Sequence, residues 1–178
     1  MHTDVVRLLL QHGARVDLTG LNGATALLVA SKRRQRNTIR VLLDAGASID
    51  LQDSVGNSVL MIASAKGNVG GVGLLLNSGA TVDLTNTNGW TPLMIASQQG
   101  HSGVVRALVR NGAQIDHQCP SGATALLIAS QQGRHDTVRA LLDSGASIDW
   151  EDEDGNSALT LASTHGHDGV VEMLLSSW

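Results

Sequence analysis

The chain has 178 residues, 42% of them hydrophobic, so it is long enough to bury a continuous core, and its formal charge of −4 argues against general nucleic-acid binding. With no Phe or Tyr and only three Trp, the core must be built from Leu, Val, Ile, Ala and Met, which suits thin layers of small helices. A lone Cys119 excludes an internal disulfide, and no apolar run is long enough to span a bilayer. A reducing compartment, cytosol or nucleus, without membrane insertion is therefore expected.

The dominant feature is a period of 33 residues. It brings round Gly23, Gly56, Gly89, Gly122 and Gly155, and likewise Ala30, Ala63, Ala96, Ala129 and Ala162. Gly-Ala pairs beginning at Gly13, Gly46, Gly79, Gly112 and Gly145 keep the same step without insertion or deletion. One domain over residues 1–178 follows. It comprises a partial unit 1–19, complete units 20–52, 53–85, 86–118 and 119–151, and a shortened last unit 152–178.

In chain order, His2-Thr3-Asp4-Val5-Val6 matches only the second half of a unit. The chain is read as a piece of a longer array, or as one with sticky end helices exposing Val5, Leu8, Leu9 and Leu10. Unit 20–52 then carries Lys32, Arg33, Arg34 and Arg36 where other units turn on glycine. Unit 53–85 contains Gly67-Asn-Val-Gly-Gly-Val-Gly73. It lacks the Gly-Lys-Ser/Thr ending of a phosphate loop and falls on an expected second helix, where each glycine weakens the helix by about 1 kcal/mol.

Unit 86–118 shows the pattern most clearly. Thr91 is placed to cap a first helix with Pro92 at its opening position; Leu93, Ile95 and Ala96 are expected on the buried side, and Gly100 ends it. A second helix follows with Val104, Val105, Leu108 and Val109 as its stripe, and Gly112 closes it. Neither helix buries its stripe alone, so successive units must stack. The last units turn acidic: residues 1–89 hold eight Lys/Arg against six Asp/Glu, whereas residues 90–178 hold four against ten. Trp150-Glu151-Asp152-Glu153-Asp154 forms the last finger, and the chain stops at Trp178, where another unit would have glycine.

Thr91-Pro92-Leu93-Met94-Ile95-Ala96, with Gly100-His101, Val105, Leu108 and Gly112-Ala113, resembles the ankyrin repeat, and the resemblance covers essentially the whole chain. It implies an all-α solenoid of stacked helix pairs with β-hairpin fingers, and a concave surface made by the fingers and first helices. It also implies a non-enzymatic role in binding another protein or peptide. Two departures stand out. The family's His after Thr-Pro-Leu is replaced by Leu28, Met61, Met94, Leu127 and Thr160, and the proline survives only at Pro92.

Repeated residues read as scaffold, among them Asp17, Asp50, Asp83, Asp116 and Asp149, so residues that differ between copies are the candidates for contact. The resemblance places these at finger tips and first-helix ends. The first-helix ends give Lys32, Arg33, Arg34, Lys66, Gln98, Gln99, Gln131, Gln132 and His165; the fingers give Asn88, Trp90, Ser121, Trp150 and Asp154. Trp90 is expected as an exposed anchor, and the cations as partners for acidic residues. No metal or cofactor is expected: His117-x-Cys119 and His165-x-His167 fall short of four ligands, and His2, His101 and His167 share one position that the family uses structurally. Two rival readings are a sensor of a phosphorylated nucleotide or oligonucleotide, as in some arrays of this family, and a spacer in a longer array. Monomeric behaviour or weak head-to-tail association is expected.

Overall fold

Two short apolar stripes per repeat, separated by glycine turns, produce two short helices per repeat. The computed structural model describes residues 2–177 and contains α1 (His2–Gln11), α2 (Ala26–Lys32), α3 (Arg36–Asp44), α4 (Val59–Ala65), α5 (Val69–Asn77) and α6 (Pro92–Gln99). It continues with α7 (Ser102–Arg110), α8 (Ala125–Gln131), α9 (His135–Leu142), α10 (Ala158–Thr164) and α11 (Asp168–Leu175). Among the described residues a single 3-10 turn forms, Leu21–Gly23, in the first complete finger.

Every first helix starts the same way. The hydroxyls of Thr25, Ser58, Thr91, Thr124 and Ser157 accept the amides of Leu28, Met61, Met94, Leu127 and Thr160, as the sequence predicts from Thr91-Pro92. The even-numbered helices α2 to α10 then stack as one layer and the odd-numbered helices α1 to α11 as another. Between the layers, Leu27, Leu60, Leu93 and Leu126 meet Leu42, Leu75, Leu108 and Leu141, all 2% exposed or less. Burying such a leucine contributes about 1.5–3 kcal/mol, and the repeated layers, not any single long helix, supply the stability.

Four of the repeated aspartates tie each unit to the next. Asp17, Asp50, Asp83 and Asp116 accept the backbone amides of Ser48, Thr81, Gln114 and Ser147, with shortest separations of 3.0, 3.0, 3.1 and 3.1 Å. Each bond spans 31 residues, a fixed step across one repeat.

The fingers differ from the expected β-hairpins. Among the described residues no strand pair forms, and one isolated bridge joins Glu151 to Ser157. The fingers are tight turns that stack on one another: Ser54 donates to the Asn22 carbonyl at 2.9 Å, Thr87 to Val55 at 3.2 Å and Glu153 to Ser121 at 3.0 Å. At the intervening step Pro120 has no amide hydrogen to give. The stacking is close enough to demand glycine: a Cβ on Gly56 would lie 2.7 Å from the Thr87 amide nitrogen, at a φ of +79°.

Several expectations are corrected. Ile95 is half-buried on the open side of α6, away from the second-helix layer that Leu93 and Ala96 face. In α1, Val5, Leu8 and Leu9 are more than half exposed, but Leu10 packs against the core. The glycine run falls, as expected, on a second helix: α5 carries Gly70, Gly71 and Gly73. Trp178 and the side chain of His2 lie outside the described residues.

Candidate functional site

The open face of the first-helix layer and the finger tips carry the candidate residues. Lys32, Arg33, Arg34, Lys66, Asn88, Gln99, Ser121, Gln132, Asp154 and His165 are exposed there, while Gln98 and Gln131 are partly covered. Trp90 departs from its expected role as an exposed anchor: it is half-buried and packs against the core, with its amide held by the Asn86 side chain at 3.0 Å. Trp150 stays 41% exposed. Trp90 sits two units along from Lys32, so the structure distributes these residues along the stack and does not gather them in one cavity.

The turn after each first helix explains why the cation cluster is unusual. In three units a side chain from the next unit reaches back to the end of the preceding first helix. His101 Nε2 meets the Ala65 carbonyl at 3.2 Å, Arg134 Nε donates to Gln98 at 2.9 Å, and His167 Nε2 meets Gln131 at 3.0 Å. The ring crosses directly over the turn glycine. A Cβ on Gly133 would stand 2.6 Å from His167, and one on Gly67 would stand 2.8 Å from His101. Glycine here serves the neighbour's packing as well as its own φ of +63° at both positions.

Unit 20–52 breaks this arrangement at both partners. Its turn residue is Arg34, held at a φ of +57° despite its side chain, and the residue that would reach back over it is Asn68. A ring placed at 68 in the same pose would strike the Arg34 Cβ. Asn68 instead caps its own helix, its Oδ1 accepting the Gly71 amide at 3.1 Å, and leaves its buried Nδ2 without a partner. Ser31 supplies the seam with one bond of its own, donating to the Val59 carbonyl at 3.3 Å. Even so, α2 packs less extensively on α4, and α3 on α5, than the corresponding helices of units 86–118 and 119–151.

At this seam the open face is hollowed. An open groove of about 380 Å³ lies between α2 and α4, walled by Leu21, Val29, Ile62 and Ala65, with Lys32 and Lys66 at one edge and Asp53 also lining it. Leu21 is 92% exposed and Val29 43%. The hollow exists because Ala65 occupies the position filled by Lys32, Gln98, Gln131 and Thr164 in the other units. Sequence comparison of the copies singles out Lys32 and Lys66 but passes over Leu21 and Ala65. The signal was Leu21 at a tip position where other fingers carry Ser54, Thr87, Pro120 and Glu153.

The acidic finger is arranged differently. Asp152 Oδ1 accepts the amides of Asp154 and Asn156 at 3.0 and 2.8 Å, and both carboxylate oxygens accept from the Asn156 side chain. Burial pushes the carboxyl up, but the hydrogen bonds from Asn156 and Asp154 outweigh it and hold it below the usual aspartate range. Asn86 braces the finger of unit 86–118 in the same way, accepting from Asn88 and Trp90. Both histidines of the last turn are engaged with backbone: His165 Nδ1 meets the Leu161 carbonyl at 2.9 Å, and its ring stacks on His167, itself bonded to Gln131, at 6.2 Å. His117 Nε2 meets Gly89 O at 3.3 Å, whereas the Cys119 thiol faces the Ser121 hydroxyl at 3.2 Å. Among the described residues no helix is long and apolar enough to cross a membrane.

A family model described as ankyrin repeats matches in three copies, over residues 1–53, 45–119 and 103–177. No curated protein matches the chain significantly.

Proposed function

The chain belongs to the ankyrin-repeat family, whose repeats generally serve as protein–protein interaction modules, and from that premise we propose that it is a non-enzymatic recognition domain. It holds a partner peptide or protein surface along the open, concave face and finger tips. One observation carries this reading: polar side chains that recur with the repeat are spent on bonds within the molecule, whereas candidate side chains that vary at the first-helix ends and finger tips are exposed. The aspartate ladder and the Thr/Ser caps of the first helices consume the former. Lys32, Arg33, Arg34, Lys66, Gln99 and Gln132 exemplify the latter. Side chains that the fold does not use are the ones free to specify a partner.

The phosphorylated-nucleotide reading is weaker, because the aromatic ring of Trp90 is packed against the core two units away from the cation cluster. A selection from a random peptide display library tests the recognition reading. Enriched peptides are expected to bind saturably and to weaken at least tenfold when Lys32, Arg33 and Arg34 are all changed to Ala. Absence of any saturable peptide binding, together with tight binding of a 5′-phosphorylated oligonucleotide, would replace this reading with the nucleotide one.

A further inference from the structure

We propose that the groove between α2 and α4 is the specificity pocket of this face, and that it takes an extended segment carrying two acidic residues three positions apart with a bulky apolar side chain between them. The inference rests on the recognition reading above and names the chemistry of the partner. The apolar requirement follows from the walls. Leu21 and Val29 are exposed aliphatic side chains facing Ile62 across the hollow left by Ala65, and leaving such surface in water is unfavourable unless something covers it. A volume of about 380 Å³ lies near the bottom of the range of ligand sites, roughly 300–1,000 Å³, and suits one large side chain.

The acidic requirement follows from the rim. Lys32 ends α2 and Lys66 caps α4, both are exposed, and neither has a carboxylate within ion-pair distance among the described residues. Arg33 and Arg34 follow Lys32 in the chain and are exposed as well. The one acid in the lining, Asp53, is occupied by its own finger: Oδ1 accepts the amides of Val55 and Asn57 at 3.1 and 2.8 Å. The spacing comes from helix packing. Neighbouring helices stand about 8–10 Å apart. Three residues of extended chain in the polyproline II conformation, at about 3.1 Å each, cover the same distance and bring the side chain back to the same face. A segment running along the stack thus meets one lysine with each acid while the side chain between them drops into the hollow. The loose packing of this seam lets its walls adjust to the side chain that enters.

The chain contains a segment of this pattern, Asp149-Trp150-Glu151-Asp152, so a second copy is the rival occupant. It is disfavoured because the Asp152 carboxylate is committed to its own turn and Trp150 is more than half covered.

The test uses the whole chain and a random dodecapeptide display library, followed by fluorescence anisotropy with the enriched peptides. Two variants read the two requirements. Ala65→Gln fills the hollow with the amide that Gln98 and Gln131 place at this position in other units, and K32E/K66E reverses the rim at exposed sites where folding is not at stake. The expected result is enrichment of acid–apolar–any–acid sequences whose binding falls at least tenfold in both variants, with unchanged thermal unfolding. Peptides that bind saturably but ignore both variants, or that lack acidic residues, overturn the groove while leaving recognition by this face intact. No saturable binding by any peptide overturns both. Sedimentation equilibrium decides the occupant: self-association abolished by Ala65→Gln assigns the groove to a second copy and overturns the peptide assignment.

Discussion

The seam between units 20–52 and 53–85 and the seam between units 86–118 and 119–151 are built from the same repeat, yet they solve the same packing problem differently. At the later seam Arg134 crosses Gly100 to reach the Gln98 carbonyl, the helices pack closely, and the first-helix ends are filled by Gln98 and Gln131. At the earlier one Arg34 replaces the glycine, Asn68 replaces the reaching side chain, three glycines soften α5, and Ala65 leaves a hollow. The two substitutions at 34 and 68 are coupled physically, since a ring at 68 needs a residue without Cβ beneath it. The first-helix face is thus most open where the scaffold is least tightly pinned, a common relation between stability and binding sites.

The largest effect that sharpens this contrast is a cavity on each side of it. Leu108→Ala, in the tightly packed half, is expected to lower stability to urea by about 2–5 kcal/mol, with the loss spreading to both neighbouring units. Leu42→Ala at the loose seam is expected to cost less, because its surroundings can collapse. Equal costs would erase the distinction between the two seams.

Next in size is a cycle between Arg34 and Asn68. Arg34→Gly relieves a side chain held in left-handed backbone and is expected to stabilise by about 1 kcal/mol. Asn68→His alone is expected to destabilise by at least about 1 kcal/mol, through loss of the α5 cap and collision with the Arg34 Cβ. In the glycine background the histidine can form the missing pin, giving a favourable coupling of about 1 kcal/mol by chemical denaturation. Strict additivity would show that the two departures are unrelated.

Smaller again is the glycine effect. Nothing lies within 4 Å of a Cβ built on Gly73, so Gly73→Ala is expected to stabilise by about 0.5–1 kcal/mol and to slow amide exchange in α5. Gly71→Ala should do the opposite, because its Cβ meets the Asn68 side chain that caps the helix. In the parent chain α5 should exchange faster than α7, and equal protection would refute the softness of this unit.

The smallest effect belongs to the acidic finger. The folded Asp152 carboxyl is held below its ordinary value, so its contribution is present above that value and is lost as the pH falls through the folded value. Asp152→Asn keeps the turn, as Asn86 does in unit 86–118, and should flatten this part of the acid unfolding profile measured by circular dichroism. An unchanged profile would remove Asp152 from the acid sensitivity of the molecule.

The 33-residue period, the caps at Thr91 and its equivalents, and the glycine turns are local chemistry written in the order of residues, which is why helix placement was legible in the sequence. The same comparison of copies picked out the repeated aspartates, four of which bond to the next unit, because a side chain repeated at every step has to satisfy something common to every step. It misjudged Trp90, Ile95 and Leu10, whose exposure depends on what the neighbouring unit places against them. It also missed the groove, because Leu21 belongs to one unit and Ala65 and Ile62 to the next, and they become one surface only when α2 and α4 stack. What the sequence by itself determined was therefore the repeat, its helices and their family. What only tertiary structure decided was which seam is pinned, which is open and what the opening presents, since each depends on distances between residues of adjacent repeats.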